Sequence, residues 1–219
     1  MRLKIFLMTC LGTAMATATA TAQPAPQPNP LPSPRLQQAL TAQTARAQSG
    51  TKDVSALIAD LRRIAPEGDP VAQFLLATLI LNSEKSEAMT LLKKSAAAGC
   101  KGAAGALGTI LAATDDPEAR SWVTSAARDG DTGAQLLLSA AYRDGMFGVS
   151  KDPVESFAWA TVAQTNAPTP SMRQAAANAV AGLLVGTPAD VLDGAGKRAA
   201  ALSSEIPRQP FYLCGFSLP

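Results

Sequence analysis

Few side chains in this chain are equipped for covalent chemistry. It contains no histidine, which removes Ser-His-Asp and Cys-His activation in their usual form and leaves Ser-Lys pairs, carboxylate pairs and thiols. Ser49-Gly50-Thr51-Lys52 has the Ser-x-x-Lys spacing in which a lysine amine takes the serine proton before acyl transfer. Neither a Ser-Asp-Asn nor a Lys-Thr-Gly element accompanies it, and it lies in a hydrophilic stretch, so that site is incomplete. Asp115-Asp116 and the pair Asp129 and Asp131 offer carboxylates, but aspartates beside helix starts are better read as caps and turn formers. No catalytic residue is therefore expected.

The cysteines are Cys10, Cys100 and Cys214. Two thiols without histidine do not make a usual metal set, so neither a metal nor a cofactor is expected. In an oxidising compartment Cys100 and Cys214 either pair, which would fasten the tail to the middle of the chain, or serve as two unconnected small apolar residues. No Cys-x-x-Cys redox motif is present.

The first residues point to such a compartment. Arg2 and Lys4, the apolar run from Ile5 to about Met15, and Ala20-Thr21-Ala22 have the order of a secretory signal ending at residue 22. The apolar run is too short to span a bilayer. The whole chain has 19 basic and 17 acidic residues, and loss of Arg2 and Lys4 leaves 17 of each. A neutral mature chain without a basic cluster argues against nucleic acid as a partner. Residues 23–50 then form a proline-rich linker, with proline at every second position from Pro24 to Pro34, and a sparsely apolar lead-in.

The elements that must position any site are helical. In residues 51–65, Val54, Leu57, Ile58 and Leu61 recur at three and four, the spacing of one buried face. Gly68, Gly99 and Gly130 come next at intervals of 31 residues, the mark of a repeat array. Beneath them run three further columns: Ala72, Ala103 and Ala134; Leu76, Leu107 and Leu138; Ala77, Gly108 and Ser139. A leucine beside a small residue gives each unit the same knob and the same gap for a neighbouring helix. Leu91, Trp122 and Trp159 mark a second helix, 23, 23 and 29 residues after the glycines, so the third unit carries six extra residues. Cys100 falls at the head of the second unit, so a bridge to Cys214 would hold the tail there.

Those extra residues lie in Tyr142-Arg-Asp-Gly-Met-Phe-Gly-Val-Ser-Lys-Asp152. Gly145 can end a helix in the left-handed conformation, Gly148 turns the chain again, and Val149 returns an apolar side chain beneath the turn. Asp152-Pro153-Val154-Glu155 reads as a helix start, with an Asp cap and a proline in the first turn. Asp116-Pro117-Glu118 is its compressed counterpart in the second unit.

Through Ala134, Leu138, Tyr142, Gly145, Gly148, Val149, Asp152, Trp159 and Ala163 the chain resembles the Sel1-like repeat family, relatives of tetratricopeptide repeats. Its two loop glycines are three apart where the family pattern has two. The resemblance implies an all-α, right-handed α/α superhelical solenoid that binds other proteins, with scaffold, adaptor or regulatory work. Some secreted members with a cysteine pair in every repeat are linked to β-lactams, a pattern this chain lacks.

Residues 169–186 and 187–206 read as two closing helices, each opened by Thr-Pro, with Leu183, Leu184, Val191, Ala195, Ala199 and Leu202 available to cover the end of the stack. The expected organisation is a signal peptide over 1–22, linker and lead-in over 23–50, a capped repeat domain over 51–206 and an aromatic tail over 207–219. Gln73 and Gln135, which share a column, Arg143 beside the distinctive turn, and Phe211, Tyr212 and Phe216 of the tail are the candidate partner contacts. The reading is a noncatalytic scaffold for a protein or peptide of the cell envelope, periplasmic or secreted. The rival is an envelope enzyme or regulator acting on peptidoglycan or β-lactams.

Overall fold

A left-handed glycine followed at once by a helix cap sets the repeat. Gly68, Gly99 and Gly130 have φ of 92°, 89° and 94°, a conformation open to glycine without a Cβ penalty. The next residue caps each following helix: Asp69 Oδ1 accepts from the amides of Val71 and Ala72, both at 2.9 Å, and Asp131 Oδ1 from Ala134 at 2.8 Å. Cys100 takes this position in the second unit, its Sγ 3.4 Å from the Ala103 amide.

The computed structural model describes residues 30–51, 53–206 and 214. In chain order the helices among the described residues are α1 (Pro34–Gln48), α2 (Ser55–Ile64), α3 (Pro70–Ile80), α4 (Lys85–Ala97), α5 (Lys101–Ala112), α6 (Ala119–Arg128), α7 (Thr132–Asp144), α8 (Pro153–Asn166), α9 (Pro170–Leu184) and α10 (Ala189–Glu205), with a 3-10 turn at Ala65–Glu67. No strand occurs among the described residues. α3 pairs with α4, α5 with α6 and α7 with α8, and each pair stacks on the next, giving an α/α solenoid.

The leucine column is the spine of the stack, with Leu76, Leu107 and Leu138 all buried. The small column is where helices meet most closely. A Cβ on Gly108 would lie 2.8 Å from Val123 Cγ2 and 3.0 Å from the Val123 backbone nitrogen. One unit later Ser139 and Ser156 exchange hydrogen bonds, each hydroxyl donating to the other's carbonyl at 2.7 and 2.9 Å. Trp122 packs between the core of the first units and that of the last, while Trp159 is buried in the latter.

The six-residue extension is wedged into the previous unit. Phe147 is among the largest fully buried side chains and joins Leu111, Ala112 and Val149 in one cluster. Its amide donates to Asp115 Oδ1, and both residues hold positive φ, 35° for Phe147 and 51° for Asp115. Gly145 ends α7 at φ 78° and Asp152 caps α8 through Val154 and Glu155.

Two details depart from the sequence reading. Val54 is not on the buried face of α2; it sits at the helix's N-cap, 37% exposed, and Leu57, Leu61 and Ile64 form that face. The sparsely apolar lead-in, helical in composition, does form a helix: it is α1, capped by Ser33 and anchored by Leu36 and Ala39. Leu184 does not cover the end of the stack: it is 47% exposed, because α10 packs along α8 and not on α9.

Candidate functional site

The polar residues with apparent chemical potential are spent on backbone geometry. Ser49 ends α1, and its Oγ donates to the Arg46 carbonyl at 2.8 Å; its proposed partner Lys52 lies outside the described residues. Asp115 receives the Phe147 amide and Asp116 the Glu118 amide at 2.9 Å. Asp129 pairs with Lys101 at 3.2 Å, and Asp131 caps α7. Among the described residues no cluster of three acidic or cysteine side chains is placed to hold a metal ion.

Gln73 and Gln135 are corrected as surface contacts. Both are buried, at 7% and 0% exposure. Each reaches eight residues back: Gln73 Nε2 donates to the Ala65 carbonyl and Gln135 Nε2 to the Ala127 carbonyl, both at 3.0 Å. These carbonyls lie at helix ends and also accept the amides of Gly68 and Gly130, so each glutamine adds a second donor at the unit junction. Their shared column reflects a shared structural role.

Arg143 is exposed, as a contact residue must be, and its guanidinium forks onto Asp144 at 2.9 and 2.6 Å. That hydrogen-bonded pairing holds the Asp144 carboxyl below the ordinary carboxylate range and raises the Arg143 guanidinium. Phe211, Tyr212 and Phe216 lie outside the described residues.

A different set of apolar residues recurs, partly exposed, on the first helices. Leu75, Ala106 and Leu137 occupy one column and are half-buried; Leu79, 38% exposed, and the half-buried Ile110 occupy another one turn on. All five lie on the first helices of successive units and form a partly exposed apolar stripe across α3, α5 and α7, in which Leu79 is the most open and the other four also pack against the core. The stripe was readable as two 31-residue columns, but its exposure depends on knowing which sides of each helix are covered.

Elsewhere, a cavity of about 470 Å³ between α1 and α2 is rimmed by the ion pairs Arg35–Glu67 and Arg63–Asp60. Its balanced charges give it no preference for a cation or an anion. Tyr142 is partly buried, and burial followed by the nearby Glu155 pushes its phenol upward. Cys100 and Cys214 are joined as a disulfide, with Cα atoms 4.8 Å apart and both residues buried.

No family model and no curated relative matches this sequence. Among solved structures, the chain is similar to the crystal structure of c5321, a protective antigen present in uropathogenic Escherichia coli strains that displays an SLR, or Sel1-like repeat, fold: TM-score 0.70, 25% identity, covering 78% of this chain. The chain has a Sel1-like repeat fold. It spans 38% of the length of that structure. The Sel1-like units are those defined by Gly68, Gly99 and Gly130, and the third is the most complete, with the glycine loop between α7 and α8. Among the described residues no helix is long and apolar enough to cross a membrane.

Proposed function

We propose that this Sel1-like repeat protein is an exported, noncatalytic scaffold of the periplasm or cell exterior that holds a protein or peptide partner against the first helices of its units. The observation that carries this reading is the stripe formed by Leu75, Leu79, Ala106, Ile110 and Leu137, partly exposed apolar residues that recur at the unit spacing, with Leu79 the most open. An apolar strip of this kind suits a segment that buries a few anchor side chains, since a few such residues dominate binding energy at interfaces. Arg143, exposed at the end of α7, gives the third unit a charged contact at the margin. Export is supported by the order of basic, apolar and small residues before residue 22, and a buried disulfide suits an oxidising compartment.

The test is crosslinking in an envelope preparation and identification by mass spectrometry, comparing the wild type with Leu79→Glu/Ile110→Glu and with Arg143→Ala. A specific crosslinked protein should disappear in the first variant and weaken in the second, while helical content is unchanged. Equal crosslinking by the wild type and the double variant removes the stripe as the contact surface.

A further inference from the structure

The third unit has two occupants where the others have one. α9 stacks on α8 as the first helix of a further unit would, yet α10 does not return to pair with α9 and lies along α8. Ala195, Ala199, Leu202 and Ile206 form its single buried stripe, the last three in one cluster with Ala158, Trp159 and Val162 of α8. The Gly194 backbone faces Val154. Arg198 Nε donates to Glu155 Oε1 at 2.6 Å, and Glu155 Oε2 accepts from the Trp159 indole at 3.0 Å. α8 thus offers an apolar groove with one fixed carboxylate, and α10 fills it as an amphipathic helix carrying one matching arginine.

Beyond α10 the chain is tied down covalently. Cys214 comes eight positions after Ile206 and is bonded to Cys100, at the head of α5. The site of that bond is informative, because units one and three use an aspartate there to cap the helix, and the cysteine makes only a long contact with one amide. The second unit gives up a strong cap and obtains a link to the chain segment after α10.

We propose that the Cys100–Cys214 bond is a redox latch on a helix-binding groove of α8: closed, it keeps α10 in the groove, and opened by a dithiol it lets an amphipathic helix of a partner protein take α10's place. That helix carries apolar residues with the spacing of Ala195, Ala199, Leu202 and Ile206, and a basic residue opposite Glu155. The inference rests on the interaction role proposed for the stack. In the opening step one thiolate of the dithiol attacks one bridge sulfur and expels the other as a thiolate, and the dithiol's second thiol then attacks its own sulfur in the mixed disulfide and releases the first protein sulfur. Two electrons and two protons pass to the bridge as two cysteine thiols, and the dithiol becomes a disulfide. Both protein sulfurs are buried, so attack requires local opening of the chain end.

Hydrogen exchange read by mass spectrometry on the full mature chain tests this, with oxidised protein, dithiothreitol-reduced protein and Cys100→Ser/Cys214→Ser compared. The α10 amides are expected to lose about tenfold or more in protection in the last two, with α7 and α8 still protected. A labelled peptide of residues 188–206 should bind the reduced protein and the double serine variant, bind the oxidised protein far less, and lose affinity with Glu155→Gln. Unchanged α10 protection overturns the latch. So does equal peptide binding in both redox states, and so does loss of protection throughout the chain, which would make the bond a staple of the whole fold. Where the latch fails by one of these outcomes, a crosslink that still depends on Leu79 and Ile110 shows that the proposed scaffold role stands without it.

Discussion

Substituting Gly108 by alanine isolates the contact on which the stacking depends. The added Cβ would sit 2.8 Å from Val123 Cγ2, 3.0 Å from Val123 N and 3.2 Å from Val123 Cα. Two of those three atoms are backbone, so a side-chain rotation cannot clear the space and α5 must move away from α6. Overpacking of this kind costs about 2–3 kcal/mol, and the gain in helix propensity on replacing a mid-helix glycine returns about 1 kcal/mol. The expected net loss is about 1–2 kcal/mol. Gly182 on α9 is the control: nothing lies within 4 Å of its added Cβ and its φ is not left-handed, so Gly182→Ala should stabilise by about 0.5–1 kcal/mol. Adding Val123→Ala to Gly108→Ala removes the Cγ2 clash but leaves both backbone contacts and opens a small void, so it should not restore wild-type stability. Urea unfolding monitored by circular dichroism and by the fluorescence of Trp122 and Trp159 measures all of these. If Gly108→Ala raises the unfolding midpoint as Gly182→Ala does, α5 and α6 do not approach this closely, and the Ala77, Gly108 and Ser139 column is not the gap of the stack.

Two further perturbations probe the third unit. Phe147→Ala should destabilise by about 3–5 kcal/mol, since it empties the centre of the cluster around Leu111, Ala112 and Val149; a change below about 1 kcal/mol in the same urea assay would show that the extension is not wedged into the second unit. At the end of α7, the Asp144 carboxyl is held low by its bond to Arg143. A depressed folded-state pKa contributes stability above the unfolded value and loses it as pH falls through the folded one, so the pair's small contribution should fade only in acid. Arg143→Ala should move the Asp144 titration upward by carboxyl NMR, and an unmoved titration would refute the pairing.

The units were legible because their signals are local. A left-handed glycine and an N-cap in adjacent positions specify a turn wherever they occur, so Gly68-Asp69 and Gly130-Asp131 declare it in the sequence and show it in the structure. The leucine and small-residue columns are then a consequence of helical spacing. The surface against which α10 packs was not legible. Ala195, Ala199 and Leu202 identify a buried stripe but not the helix that buries it, and α8 and α9 both present alanine-rich surfaces. Phe147 was hidden differently: between two glycines in a loop it has no periodic partners, and its burial depends on a pocket formed 32 residues earlier around Asp115.

Gln73 and Gln135 show why recurrence has to be weighed with coverage. A polar residue repeating in a solenoid column invites a surface reading, since polar side chains usually face water. Yet a helix inside a stack is covered by its own partner and by the units before and after it, so most columns are interior. A polar residue retained there has to make its own hydrogen bonds inside the stack, here as a second donor to the Ala65 and Ala127 carbonyls at the helix ends. The middle unit has Ala104 in that column and dispenses with the amide. For the proposed partner, the contacts left are the partly exposed stripe and the places where one unit breaks the pattern of its neighbours. Cys100 in the aspartate column and Glu155 beneath Arg198 are such places, and both belong to the fastening of α10.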